Sequence, residues 1–150
     1  VTRATTSSIE QIATTCIAGR LRLLNRVVTN LYDDALRPFG VKLSQGNVLA
    51  VTAKLGVARP AQVCDILELD TSTLSRTVDR MVANGWLEVV PDEDGRSQPF
   101  RLTAEGRKLM ERALPAWEQA QAQARKLLGE DGLRLLDAAI GRVKAAHART

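Results

Sequence analysis

Thr71, Ser72, Thr73, Ser75, Arg76 and Arg80 crowd hydroxyls and guanidinium groups into one short stretch of the chain. Side chains of these types donate to and accept from base edges and phosphates, and arginine suits bidentate contact with guanine. A smaller group follows at Asp94-Gly95-Arg96. There a carboxylate two residues before a guanidinium can orient it by a charge-assisted hydrogen bond. An arginine at a loop tip suits a minor groove, whose negative potential attracts it. This is the chemistry of recognition rather than of bond making. Each group also has a bland reading: a solvated face of an ordinary amphipathic helix, and a surface ion pair on a loop.

The elements that must position these groups weigh against the bland readings. Asp70 or Thr71 can cap a helix whose first-turn N–H groups need acceptors, and Asn84-Gly85 supplies its stop. Between them Leu74, Val78, Met81 and Val82 form one apolar stripe, opposite Ser72, Ser75, Arg76, Asp79 and Arg80. Arg59 to Leu69 predicts a preceding short helix with Pro60 near its start and Val63, Ile66 and Leu67 inward. Glu68-Leu69-Asp70 alone separate the two, the tight connection of a helix-turn-helix. Its second helix enters the major groove and its first crosses the backbone. The period then changes: Trp86 to Val90 and Pro99 to Thr103 read as strands, joined by the turn-rich Pro91 to Ser97. The sum is a winged helix-turn-helix over residues 44–103.

The ordered set of motifs resembles the MarR family of bacterial transcription regulators. Leu43-Ser44-Gln45, Asp70 to Arg76, Val78-Asp79-Arg80-Met81, Asn84-Gly85-Trp86-Leu87, Asp94-Gly95-Arg96 and Leu102 to Gly106 carry the likeness, which spans nearly the whole chain. It implies a homodimer in which each subunit offers one winged helix-turn-helix to a pseudo-palindromic operator in double-stranded DNA. By position, Thr71, Ser72, Thr73, Ser75, Arg76 and Arg80 would face the major groove. Arg96, oriented by Asp94, would enter the minor groove. The wing departs from the family habit: Asp92, Glu93 and Asp94 precede a lone Arg96, and Glu88-Val89-Val90 leads in without a cation. A shallow salt dependence of binding is therefore expected.

The flanks, 9–36 and 104–148, are expected to form dimerisation helices. Ile9 to Leu36 reads as one helix with two apolar stripes, which must be covered on more than one side. A helix over Ser44 to Lys54, capped by Ser44, follows. Thr103 is expected to cap a helix containing Pro115, with a kink at the proline, and Gly129 and Asp131 to set off a last helix. The fold class is thus mainly α with a small β-hairpin wing, in one domain over 1–150. Val1 to Ser8 carries no apolar stretch of a signal peptide and reads as a disordered arm. No apolar run approaches bilayer length, so no membrane partner and a cytoplasmic location are expected. The 21 basic against 17 acidic residues give a formal charge of +4, which suits a nucleic-acid partner without proving one.

Catalysis finds little support. The one histidine, His147, lies near a helix end, a poor place to hold a base in register, so a pair with Cys16 is disfavoured. No metal-ligand spacing, phosphate loop or nucleophile elbow is present, and no cofactor is implied. The rival to a DNA-binding regulator is a winged-helix protein–protein interaction module. Some members of the resembled family sense peroxides through an early cysteine, but Cys16 falls about a turn too early and lacks accompanying tyrosines. Cys16 and Cys64 are read as small buried residues. Other members bind aromatic or phenolic acids, and Arg26 is a candidate partner for such an effector's carboxylate, or for Asp33 or Asp34. Repression is the expected sign of regulation, because blocking a promoter needs only occupancy.

Overall fold

The computed structural model describes residues 2–92, 95 and 97–147, with side chains from Ser8 onward. Among these described residues, six helices and three short strands follow in order: α1 (Thr2–Thr15), α2 (Ile17–Leu36), a 3-10 turn (Arg37–Phe39), α3 (Leu43–Leu55), β1 (Val57–Ala58), α4 (Pro60–Leu67), α5 (Thr71–Ala83), β2 (Leu87–Val89), β3 (Phe100–Leu102) and α6 (Ala104–His147). They divide into two compact units, one of residues 1–32 with 121–150, the other of residues 33–120.

The second unit holds the winged helix-turn-helix. Its helices start where side chains satisfy first-turn donors that the helix leaves open. Asp33 Oδ1 accepts from Leu43 N–H (2.7 Å) and Gln45 Oε1 from Lys42 N–H (3.0 Å). The expected cap Ser44 lies one residue inside α3 instead. The same glutamine device recurs at α4, where Gln62 Oε1 accepts from Arg59 N–H (3.1 Å) ahead of Pro60. Helix α4 ends on Glu68 in the left-handed region, with Leu69 N–H returning to Cys64 O (3.0 Å). This makes the three-residue turn that the sequence predicts.

The hairpin is one strand richer than predicted. β3 is central, flanked by β2 (Leu87↔Leu102, Val89↔Phe100) and by β1 (Val57↔Arg101, Ala58↔Phe100), both antiparallel. Two residues are too few to show a period, which is why β1 is silent in the sequence. Phe100, Leu49, Leu74, Met81, Leu87 and Val63 are almost fully enclosed and form the core beneath α5. Ile66 and Val82, expected inward, are exposed at 53% and 37%, because each sits at the margin of its helix's apolar stripe.

In the first unit the expected single helix is divided at Cys16. Its N–H still reaches Ile12 O (3.1 Å) and its carbonyl accepts from Arg20 N–H (3.1 Å), so the interruption is one residue wide. The arm expected at the N-terminus is helical from Thr2. Tyr32 is buried and donates a hydrogen bond to Gln121 of α6; burial raises its pKa. Along α6 the residue that leaves helical backbone angles is Gly129 (φ 67°, ψ 167°). Pro115 stays within the helical run, and the break lies at the glycine, which alone tolerates that geometry. No helix among the described residues is long and apolar enough to cross a membrane.

Candidate nucleic-acid interface

Helix α5 begins on a tightly built cap. Asp70 Oδ1 accepts from the Thr73 N–H (2.8 Å) and the Ser72 hydroxyl (2.6 Å), and Oδ2 from the Thr73 hydroxyl (2.6 Å). The Ser72 and Thr73 hydrogen bonds hold the Asp70 carboxyl well below the usual carboxylate range. This changes what those two hydroxyls can do. A carboxylate only accepts, so both protons are spent on Asp70 and only lone pairs face outward. Ser72 and Thr73 are then left as acceptors toward any further partner, and the guanidinium groups of Arg76 and Arg80 are the charged donors on this part of the helix.

Ser75, Arg76 and Arg80 are exposed on the flank of α5 turned away from the buried Leu74 and Met81, and Thr71 is exposed at the helix's N-terminal tip. No ion pair among the described residues engages either arginine. Within the described residues both guanidinium groups are therefore uncommitted. Beyond them the helix closes with Gly85 at φ 74°, Gly85 N–H on Val82 O (2.9 Å) and Trp86 N–H on Met81 O (2.9 Å). Left-handed glycine closure is the physical content of the Asn84-Gly85 pair.

The end of α5, the returning strand and the start of α6 are tied at one point. Thr103 N–H donates to Trp86 O (3.1 Å), and its hydroxyl donates to Gly85 O (2.6 Å) while accepting from Gly106 N–H (3.0 Å). A Cβ on Gly106 would lie 2.2 Å from Trp86 O. The motifs Asn84-Gly85-Trp86-Leu87 and Leu102 to Gly106 are thus two halves of one junction. The predicted cap Thr103 is confirmed; its second bond, across to α5, has no signature in local sequence.

On the wing, Arg101 Nε donates to Glu88 Oε1 across the ladder (2.7 Å), so the acidic lead-in strand carries its own counter-charge. Asp92 is held by Arg59 and Ser97. Asp94 and Arg96, the expected minor-groove pair, lie outside the described residues. Arg26 is exposed on α2, and so is Cys16, against the expectation of a buried thiol; Cys64 is half-buried. A stretch whose apolar stripes face outward in the single chain gives its cysteine no core to enter.

The second unit also has an apolar pocket of about 300 Å³, partly open at the surface, lined by Leu36, Val41, Leu49, Leu109, Met110 and Trp117, with Asn47 a polar member of its wall. No ionisable side chain is among its lining residues.

A signature described as MarR family matches residues 39–97, which contain α3 to α5 and most of the wing. The helix-turn-helix and wing segment therefore carries the signature of the MarR family. The chain is 30% identical over 95 residues to the multiple antibiotic resistance protein MarR of Salmonella typhimurium, covering 62% of this chain and 66% of that protein. It is also 30% identical over 86 residues to the uncharacterized HTH-type transcriptional regulator YwoH of Bacillus subtilis, covering 57% and 63%. The aligned stretch thus spans under two thirds of either relative's own length. Among solved structures, the transcriptional regulator MOSR of M. tuberculosis in complex with DNA superposes with a TM-score of 0.76 at 29% identity, over 87% of this chain and 97% of that one. A mutant MarR of E. coli complexed with operator DNA gives a TM-score of 0.79 at 21% identity, over 89% and 96%, a likeness of fold.

Proposed function

We propose that this chain is a sequence-specific, double-stranded DNA-binding transcriptional regulator of the MarR family. It acts as a homodimer on a pseudo-palindromic operator in the cytoplasm, and as a repressor. One observation carries the reading: α5 offers Ser75, Arg76 and Arg80 on its exposed flank and Thr71 at its N-terminal tip, three residues after α4 and next to a β-wing. That is the arrangement in which a second helix reads a major groove. Asp94 and Arg96 are assigned to the minor groove by their place in the wing motif.

The dimer rests on the first unit. Ile12, Ile17, Leu21, Leu23, Leu135 and Val143 are each more than half exposed in the single chain. Apolar area of that extent on long helices is stabilised by burial against a second copy, and two-fold symmetry matches an inverted repeat. Helices α1 and α2 and the part of α6 beyond residue 120 are therefore assigned to the dimer, and residues 44–103 to reading the DNA.

The effector we assign to the apolar pocket is a small aromatic or phenolic molecule bound in uncharged form, with Asn47 as a hydrogen-bonding partner. Arg26 does not line that pocket, so its pairing with an effector carboxylate is a separate proposal.

Selection of bound duplexes from a random pool tests the function. The expected result is an inverted repeat whose half-site centres lie about one helical turn, 10–10.5 base pairs, apart. Enrichment of no duplex at low ionic strength would overturn it.

A further inference from the structure

We infer that Arg59 is the positioning residue of the wing, locking the hairpin's reach to the helix-turn-helix. The inference rests on the DNA-binding reading above. Arg59 is the residue just before α4, and its guanidinium leaves the helix to meet the two ends of the hairpin tip. Nη1 donates to Ser97 Oγ (2.8 Å) and to Asp92 Oδ2 (3.3 Å), and Nη2 to Asp92 Oδ1 (3.3 Å). Ser97 Oγ donates in turn to Asp92 Oδ2 (2.8 Å), closing the ring of contacts. The Asp92 side chain is only 9% exposed, whereas that of Arg59 is 53% exposed. The Ser97 hydroxyl first, and Arg59 second, hold the Asp92 carboxyl below the usual range.

The geometry has a purpose that local structure does not require. β2 and β3 pair as far as Val89 and Phe100, and among the described residues one further ladder bond, Val90 N–H to Pro99 O (2.7 Å), continues toward the tip. A two-stranded ribbon beyond its sheet is only marginally held. The planar guanidinium fork fixes direction as well as distance, which an ammonium point charge would not. Through it the ends of the tip, Asp92 and Ser97, are referenced to α4, and α4 is joined to the reading helix by three residues. Wing and recognition helix then meet the duplex as one rigid piece, without ordering cost at the moment of binding. The apparent excess of acid on the wing is explained too, since Asp92 serves as an internal anchor.

The test uses the full-length protein on its selected operator, comparing Arg59→Ala, Asp92→Ala, the double variant and Arg59→Lys. Each single alanine variant should weaken binding about tenfold, the scale of a lost charge-assisted contact. Hydroxyl-radical protection should disappear at the operator flanks and persist at the major-groove positions. The double variant should bind no worse than either single one, because both remove the same clasp. Arg59→Lys should recover only part of the loss. Ser97→Ala, which deletes one bond of the clasp, should show the same flank-limited loss in milder form and serves if a larger change unfolds the protein. Were Arg59 a plain phosphate ligand, Asp92→Ala would leave affinity unchanged or raise it, and the inference would fall. Uniform loss of protection over the whole site would overturn it equally. A wild-type protein that binds no duplex would instead overturn the functional reading.

Discussion

Gly106→Ala is the substitution for which propensity and packing disagree most sharply. Gly106 is the third residue of α6, so intrinsic helix preference favours alanine there by about 1 kcal/mol. Packing opposes it. The new Cβ would stand 2.2 Å from Trp86 O and 3.0 Å from Trp86 C, both backbone atoms. The carbonyl cannot simply retreat, because it accepts from Thr103 N–H (3.1 Å) while Thr103 Oγ1 holds Gly85 O (2.6 Å). Overpacking of this kind costs about 1–3 kcal/mol and a sacrificed hydrogen bond about 1 more, so a net loss of about 1–3 kcal/mol is expected. For a chain of this size that lowers the melting temperature by about 2–12 °C. Urea titration at fixed protein concentration, comparing midpoints at unchanged slope, measures it. Gly46→Ala is the control: it is also helical, nothing lies within 4 Å of its Cβ position, and it should hold or gain stability. A Gly106→Ala variant as stable as the parent would show that α5 and α6 do not meet at Trp86 as described.

Asp70→Asn should flatten the acid limb of the stability curve. The folded-state pKa is lowered, so the carboxylate's contribution is complete above the ordinary aspartate range and is lost as pH falls through the lowered value. Parent and variant should therefore differ most at neutral pH and converge under strongly acidic conditions in parallel melts. Arg76→Ala should relax discrimination at one base pair per half-site by about 1–3 kcal/mol; equal losses on every duplex would mean that it touches only phosphate. Arg96→Ala should weaken binding mainly at A·T-rich flanks, and unchanged affinity on such duplexes would remove that side chain from the mechanism. Leu135→Glu, at a side chain 69% exposed in the single chain, should shift sedimentation toward a monomer without altering its helix content.

Much of this was legible because it is local. The spacing of Leu74 and Met81, the Asp70 cap and the Asn84-Gly85 stop all act within a turn or two of helix, where sequence neighbours are spatial neighbours. What escaped depends on distant residues meeting. The Arg59 clasp joins positions 33 and 38 residues apart, and Thr103 reaches back 18 residues to Gly85. Strand β1 is defined by its partner β3 rather than by any alternation of its own. The reading of Ser72 and Thr73 as direct groove contacts missed the competing acceptor beside them. Asp70 was recognised as a cap, but its two oxygens also take both hydroxyl protons.

The paired acids alter the expectation for salt dependence as well. Counting Glu88 and Asp92 as free charges suggests a wing that repels phosphate. Each of them has a guanidinium partner, Arg101 for Glu88 and Arg59 for Asp92. Pairing removes one anion and one cation together, so the wing base is close to neutral toward a duplex rather than repulsive. The salt slope then reflects the cations left uncommitted, Arg76 and Arg80 on α5 above all, each displacing roughly one counterion per phosphate it neutralises. Asp92→Ala isolates the point. It frees the Arg59 charge while unfastening the wing, so the slope should steepen even as affinity at the operator falls. Simple removal of a repulsive acid would steepen the slope and raise the affinity together, and that pairing of signs separates the two accounts.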